Sequence, residues 1–283
     1  MLRLLCTLLL GITLPVHALT FQTRMENVAW TVEGDQFECR LSQKVEGYGE
    51  AIFVRRAGEY PVFELSASNN LMRPGPAWLS NNPPPWRPGT AGAGLGQGMI
   101  EQGSTALRLP YQQAAQMLAG LAQGLHPTIE RGSISDAAQP VRVVVSSVGY
   151  RHAWEEYQHC MVGLLPMNRD QLSRTPIGFP SGGAVLDAEA RRLLDVVLAY
   201  LEADPGITGI ELDGHSDNVG DRLANRELSR QRALAVQDYL QRHGAAEELF
   251  TLRFHGERYP IAGNNTATGR AANRRVVLRL NNG

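Results

Sequence analysis

Lysine is almost missing from this chain of 283 residues. Lys44 is the only one, so arginine supplies nearly all of the positive charge. Biased residue usage accounts for that as well as a need for forked carboxylate recognition does, and position decides between them. A basic excess is also missing, since the formal net charge is -1. Polyanion-binding proteins carry such an excess, so nucleic acid is not an expected partner. Beyond residue 18 no segment offers about 18 uninterrupted apolar residues, so no spanning helix is expected once a leader is removed. Nor is there a series of alternating ten-residue strands with aromatic girdles, which an outer-membrane barrel requires. Cysteine is scarce, with three in all. No CxxC occurs, and His152 and His159 beside Cys160 lack a fourth ligand at zinc spacing, so no metal or cofactor is expected. What is present, 43% hydrophobic and 19% charged residues, fits a folded chain of one large or two ordinary domains.

Residues 1–18, MLRLLCTLLLGITLPVHA, have the form of a secretory signal peptide. Arg3 supplies the positive region, Leu4 to Leu14 the apolar stretch, and Val16-His17-Ala18 small residues where a signal peptidase reads. Cleavage is expected after Ala18. Cys6 lies too early for a lipoprotein cleavage box, so no lipid anchor is expected. Cys39 and Cys160 remain. An even count in an exported chain suggests a disulfide, with two buried free thiols as the other reading.

The pattern changes near residue 170. Before it, short β-prone runs occupy 28–32, 37–41, 50–55, 60–66 and 141–145, separated by Gly, Pro and Asn turns. Asn81-Asn82-Pro83-Pro84-Pro85-Trp86-Arg87-Pro88-Gly89 reads as an extended surface segment, either a docking loop or a long connection. A glycine-rich run to Gly98 follows. Helices are expected at 110–123, where Tyr111, Ala114, Ala115, Leu118 and Leu121 share a face, and at 151–164. After Pro166, Pro176, Gly178 and Pro180, helices and strands alternate. Leu186, Ala190, Leu193, Leu194, Val197, Leu198 and Leu201 mark one helix face. Strands are expected at 207–213, 249–254 and 276–280, with a second helix at 225–242. The fold class is therefore α+β: a β-rich first domain with packed helices (19–168), then an α/β sandwich (169–283).

A carboxylate-and-amine pocket follows from spacing. Strand 207–213 runs into Gly214-His215-Ser216-Asp217, which places Asp217 in a loop at its end. Asn225, Ser229 and Arg232 fall on one stripe of the second helix, and Arg232 leans back toward the end that Asn225 opens. The helix N-terminus would add free N–H groups and partial positive charge. Such a site suits a zwitterion, with Asp217 taking an ammonium and Arg232 a carboxylate. A plain Asp217–Arg232 salt bridge is the other reading of the same spacing. Near the C-terminus Arg270, Arg274, Arg275 and Arg279 lie without an acid among them. At least one of these is expected toward the helix-covered side and the others toward solvent.

Three ordered stretches, GHSDNVG at 214–220, NRELSRQRALAV at 225–236 and GRAANRRVVL at 269–278, resemble the OmpA-like peptidoglycan-binding domain. That resemblance implies a grip on the diaminopimelate residue of the wall's stem peptide. The family's gripping Asp falls on Asp217, its gripping Arg on Arg232, its helix-opening Asn on Asn225 and the first Arg of its NRR on Arg274. The sequence departs from the family at Phe179-Pro180-Ser181-Gly182, where an Asp-Ser or Asp-Thr pair is usual. In the first half, CRLSQKVEGYGEAIFVRRAG at 39–58, NNPPPWRP at 81–88 and VVVSSVGYRHAWEEYQHC at 143–160 look like the N-terminal domain of the MotY family. The family's two matching cysteines are disulfide-bonded, which implies a Cys39–Cys160 bridge. The resemblance further implies a periplasmic, T-ring component of the flagellar motor, with the basal body, a MotA/MotB-type stator and peptidoglycan as partners.

Two other functions compete. A peptidoglycan hydrolase would have to use His215, Ser216 and Asp217, or the Asp213 and Asp217 carboxylates. Consecutive turn residues cannot aim at one another as a relay requires, and nothing in the spacing sets a glycosidase separation, so no enzyme is expected. A general envelope linker unrelated to motility fits residues 214–275 equally well and is disfavoured by 39–160.

Overall fold

The structure, a computed structural model, describes residues 18–282. The leader reading on Arg3, Leu4 to Leu14 and Cys6 lies outside the described residues. The chain divides into two compact units. One comprises the residues up to Glu33, Arg40–Arg55 and Tyr60–His159; the other comprises Gly34–Cys39, Arg56–Glu59 and Cys160–Gly283.

The first part of the chain forms β1 (Leu19–Phe21), β2 (Trp30–Gly34), β3 (Glu38–Val45), β4 (Gly49–Arg56), β5 (Val62–Ala67), β6 (Gly75–Asn82), β7 (Ala93–Ile100), β8 (Thr105–Leu109), α1 (Tyr111–Ala122), β9 (His126–Gly132), β10 (Pro140–Val144) and α2 (Tyr150–Val162). The strands make one sheet in the order β1-β10-β9-β6-β7-β8-β5-β4-β3-β2. β1 runs parallel to β10, pairing Leu19 with Val141. Along β5 every second side chain is buried, Phe63, Leu65 and Ala67, as a half-buried strand requires. Ala114, Leu118 and Leu121 of α1 are buried, as their repeat implies. Tyr111, expected on the same face, is exposed and packs on the Tyr60 ring at 4.7 Å. It sits on the first residue of the helix, before the apolar stripe is covered.

The run from Asn81 to Gly98 differs from its reading as surface segment and glycine-rich loop. Asn81 and Asn82 end β6, and Ala93–Ile100 is a strand, β7. Of its glycines, Gly98 is a packing requirement and Gly96 a backbone one. A Cβ on Gly98 would meet Leu109 Cδ2 at 2.6 Å and Leu107 Cδ1 at 2.8 Å. Gly96 has φ +83° and lies at the register shift opposite Leu79 and Ser80. The intervening proline segment is tied down: Arg87 Nη1 donates to Gln123 O at 2.6 Å, and the Trp86 ring meets His126 edge-on at 5.6 Å.

The second unit contains α3 (Arg169–Arg174), β11 (Ile177–Gly178), α4 (Ala188–Ala203), β12 (Ile207–Gly214), α5 (Arg222–Arg242), β13 (Phe250–Phe254), α6 (Ala267–Asn273) and β14 (Arg275–Asn282). The sheet order is β11-β14-β12-β13, with β12 and β13 parallel. Leu194 and Val197 of α4, Ala233, Val236 and Leu240 of α5, Ile210 and Leu212 of β12, and Val276 and Leu278 of β14 share one buried core. The apolar faces of α4 and α5 thus cover one side of the sheet, which is the expected α/β sandwich. Ala57 belongs to this core too, and the partly buried Phe37 packs against it, its ring 5.1 Å from that of Tyr200. Cys39 and Cys160 form a disulfide with a Cα–Cα distance of 6.0 Å.

Candidate functional site

The site begins where β12 ends. A Cβ on Gly214 would lie 2.1 Å from Ser229 O, so glycine is what lets this strand end lie against α5. The chain then enters a buried loop whose backbone is held at both sides. His215 N donates to Arg275 O and Ser216 N to Gly256 O, each at 2.9 Å. These bonds place Asp217 at the strand end with only 6% of its surface exposed. Its Oδ2 accepts from Arg274 Nη1 at 3.1 Å, and its Oδ1 accepts from Val219 N at 3.2 Å. Arg274 also donates through Nε to Phe179 O at 3.1 Å.

Arg232 rises from α5 and is fully buried. Its Nε donates to Gly183 O at 2.9 Å, Nη1 to His215 O at 2.9 Å and Nη2 to Pro180 O at 3.1 Å. The Phe179 ring lies 5.6 Å from its guanidinium carbon. Burial pushes the Arg232 pKa down to about 10, against the attraction of Asp217. Among the described residues no carboxylate pairs with it, so the direct Asp217–Arg232 salt bridge does not form. Asp217 pairs with Arg274 instead, and Arg232 organises the backbone beneath them. The Phe179–Gly182 stretch, where the family's Asp is missing, is brought to the site by its carbonyls rather than by a side chain.

The structure moves the start of α5 away from Asn225. Helix α5 starts three residues earlier, because the Asp221 side chain caps it by accepting from Leu223 N at 2.8 Å and Ala224 N at 3.2 Å. Two of the amides expected to be free are thereby taken. Asn225 is buried and donates to Glu257 Oε2 at 2.8 Å. Sequence reasoning missed Glu257, since no motif spacing connects it to Asn225. Ser229 Oγ accepts from Gly256 N at 3.1 Å and donates to Arg226 O. Asp217, Arg232 and Arg274 are therefore gathered at one strand end, while Asn225 supports the loop after β13. Arg274 is the arginine that reaches the helix-covered side; Arg275, expected in solvent if not there, is 5% exposed, with donors on Asn273 O and Tyr259 O.

A second polar network lies on the sheet's other face. Asp213 accepts from Arg279 and sits 3.0 Å from His255 Nε2. Burial works to raise the Asp213 pKa, and the hydrogen bonds from His255 and Arg279 outweigh it, so the carboxyl titrates below its ordinary range. The His215 ring stacks on that of His255 at 5.0 Å. Burial, then the charge of Arg275, lowers the His215 pKa to about 4. Folding holds this imidazole neutral while the unfolded chain takes up a proton near pH 6.5. Stability is therefore whole above that pH and falls as pH drops toward 4. The expected loss from His215 is about 3 kcal/mol. Denaturant titrations of the wild type and His215→Gln between pH 7 and 4 check this, and the variant should lack that part of the slope. His126, also lowered by burial, adds a component that the variant retains.

No helix among the described residues is long and apolar enough to cross a membrane. No group of three or more His, Cys, Asp or Glu residues among them is placed to hold a metal ion.

Residues 178–274, which carry the helices on one face of the mixed four-stranded sheet and the strand end that gathers Asp217, Arg232 and Arg274, match the OmpA family and form an OmpA-type domain. Residues 21–166 match the MotY N-terminal domain, and the chain belongs to that MotY family. The chain is 25% identical over 255 residues to the sodium-type flagellar protein MotY of Vibrio parahaemolyticus, covering 86% of this chain and 83% of that one. It is 39% identical over 106 residues to the peptidoglycan-binding protein ArfA of Mycobacterium tuberculosis, covering 38% of this chain and 32% of ArfA. Among solved structures it is similar to the C-terminal domain of Helicobacter pylori MotB, with 20% identity, a TM-score of 0.36, and coverage of 38% of this chain and 85% of that one.

Proposed function

We propose that this protein is a periplasmic, non-enzymatic component of the flagellar motor that binds peptidoglycan and anchors stator units beside the basal body. Residues 169–283 take the diaminopimelate of the stem peptide, and residues 19–168 associate with the basal body and the MotA/MotB-type stator. The observation that carries the wall grip is the charge balance at the β12 end. Two guanidiniums, Arg232 and Arg274, face one carboxylate, and among the described residues the buried Arg232 hydrogen-bonds backbone carbonyls and no carboxylate. A ligand carboxylate supplies the missing negative charge. Asp217 accepts one bond at each oxygen and has lone pairs left for an ammonium. The non-enzymatic reading is supported by Ser216, whose hydroxyl donates to the Asp217 carbonyl rather than engaging His215.

Many weak grips around a motor give a fixed reaction point without permanent attachment. The kinship with a flagellar MotY over most of the chain supports the motor over a general envelope linker. The test is swimming speed and flagellar count in a strain lacking the gene and other wall anchors of this type. Flagellated, poorly motile cells rescued by the wild type and not by Asp217→Asn are expected. Normal swimming of that strain would contradict the motor role.

A further inference from the structure

Beyond the wall grip, the sheet face that α4 and α5 leave uncovered carries a cavity of about 470 Å³. Strand alternation explains its lining. Residues 210 and 212 of β12 and 276, 278 and 280 of β14 point into the helix-covered core, so Asp213, Arg275, Val277 and Arg279 point the other way. His215 and His255 continue that face beyond the strand ends, and Arg174 at the end of α3 and Ile261 complete the walls that matter here.

The charges of this cavity do not balance. Asp213 is already answered by Arg279 and His255. Arg275 spends its donors on two backbone carbonyls and has no carboxylate partner among the described residues. Arg174 uses Nε on Asp170 O at 3.0 Å, and its terminal nitrogens make no hydrogen bond among the described residues. The second observation is independent of charge. His215 is 5% exposed, lines the cavity, and its Nδ1 has no hydrogen-bond partner among the described residues. A buried ring nitrogen left without a partner costs about 1–3 kcal/mol, so the His215 ring is the least satisfied polar group in the cavity wall. Ile261 and Val277 give the same cavity an apolar wall.

We propose that this cavity is a second ligand site, on the opposite side of the sheet from Arg232, which takes an anionic head group, carboxylate or phosphate, carried on an apolar body. The anion sits between Arg174, Arg275 and His215, and the apolar part lies on Ile261 and Val277. The exposed position of Arg174 makes it the element that a ligand can recruit without disturbing the fold.

The test is an amide NMR titration of the full mature chain with N-acetylleucine, its uncharged amide and phenyl phosphate. Saturable shifts at Tyr259, Ile261 and the 173–176 segment are expected with at least one of the two anions, and which one responds names the head group. The amide should bind at least about tenfold more weakly, and Arg174→Ala should weaken the anion about tenfold. Sacculus binding by Arg174→Ala should be unchanged, which separates this site from the wall grip. Equal binding of the amide, equal binding by the variant, or no saturable shift into the tens of millimolar would each overturn the proposal.

Discussion

Arg232→Ala should lower the stability of the second unit by about 3–5 kcal/mol and abolish co-sedimentation with cell-wall sacculi. The guanidinium is fully buried and bonds the carbonyls of Pro180, Gly183 and His215. Alanine empties the space of a fully buried side chain and leaves three acceptors without their donor, that of His215 buried and those of Pro180 and Gly183 partly so, and each unsatisfied buried group costs about 1–3 kcal/mol. Partial relaxation of the 180–183 loop lowers the total below the simple sum. Arg232→Lys keeps the charge but cannot fork to three carbonyls, so it should fall between wild type and alanine in both stability and binding. Chemical denaturation of the three proteins beside a sacculus pull-down checks the ordering. Unchanged stability in Arg232→Ala would show that the carbonyl cage is not what holds the loop.

The second large effect is expected at the disulfide. Cys39 and Cys160 are separated by 121 positions. Closing so long a loop restricts the unfolded chain, and the entropy model gives about 4–5 kcal/mol. The bond also secures the Gly34–Cys39 segment, whose Phe37 packs against the core containing Tyr200. Cys39→Ser/Cys160→Ser should therefore unfold roughly 10–20 °C lower than the oxidised wild type. Calorimetry of the oxidised, reduced and double-serine proteins reads this directly. A double-serine protein that melts with the wild type would place the stability of this unit wholly in its core packing.

These two predictions also show what the sequence revealed and what it hid. Helix α4 was legible because its apolar residues repeat at helical spacing. Asp217, Arg232 and Arg274 were legible because each stands in a recurring motif. Their pairing was not. Arg274 meets Asp217 across 57 positions of chain, and Arg232 bonds backbone carbonyls, which leave no mark in a sequence. The start of α5 was misjudged because the amphipathic stripe points to Asn225, while the cap is set by Asp221 outside that stripe. β7 was hidden for a different reason. Glycine disfavours strands as isolated chain, yet at Gly98 only its missing Cβ makes room for Leu107 and Leu109. Tertiary packing overrode local preference there.

The central claim is that the carboxylate of Asp217 grips the wall. Asp217→Asn tests it most directly, because the amide oxygen can still accept from Val219 N and the side chain keeps its shape. Its binding to purified sacculi should be measured beside wild type, with free diaminopimelate as competitor. The account predicts that wild-type binding is displaced by diaminopimelate and that the variant, which melts lower for want of the Arg274 ion pair but is folded at the assay temperature, binds at least about tenfold more weakly. Equal binding by the variant, or wild-type binding that diaminopimelate does not displace, would contradict it.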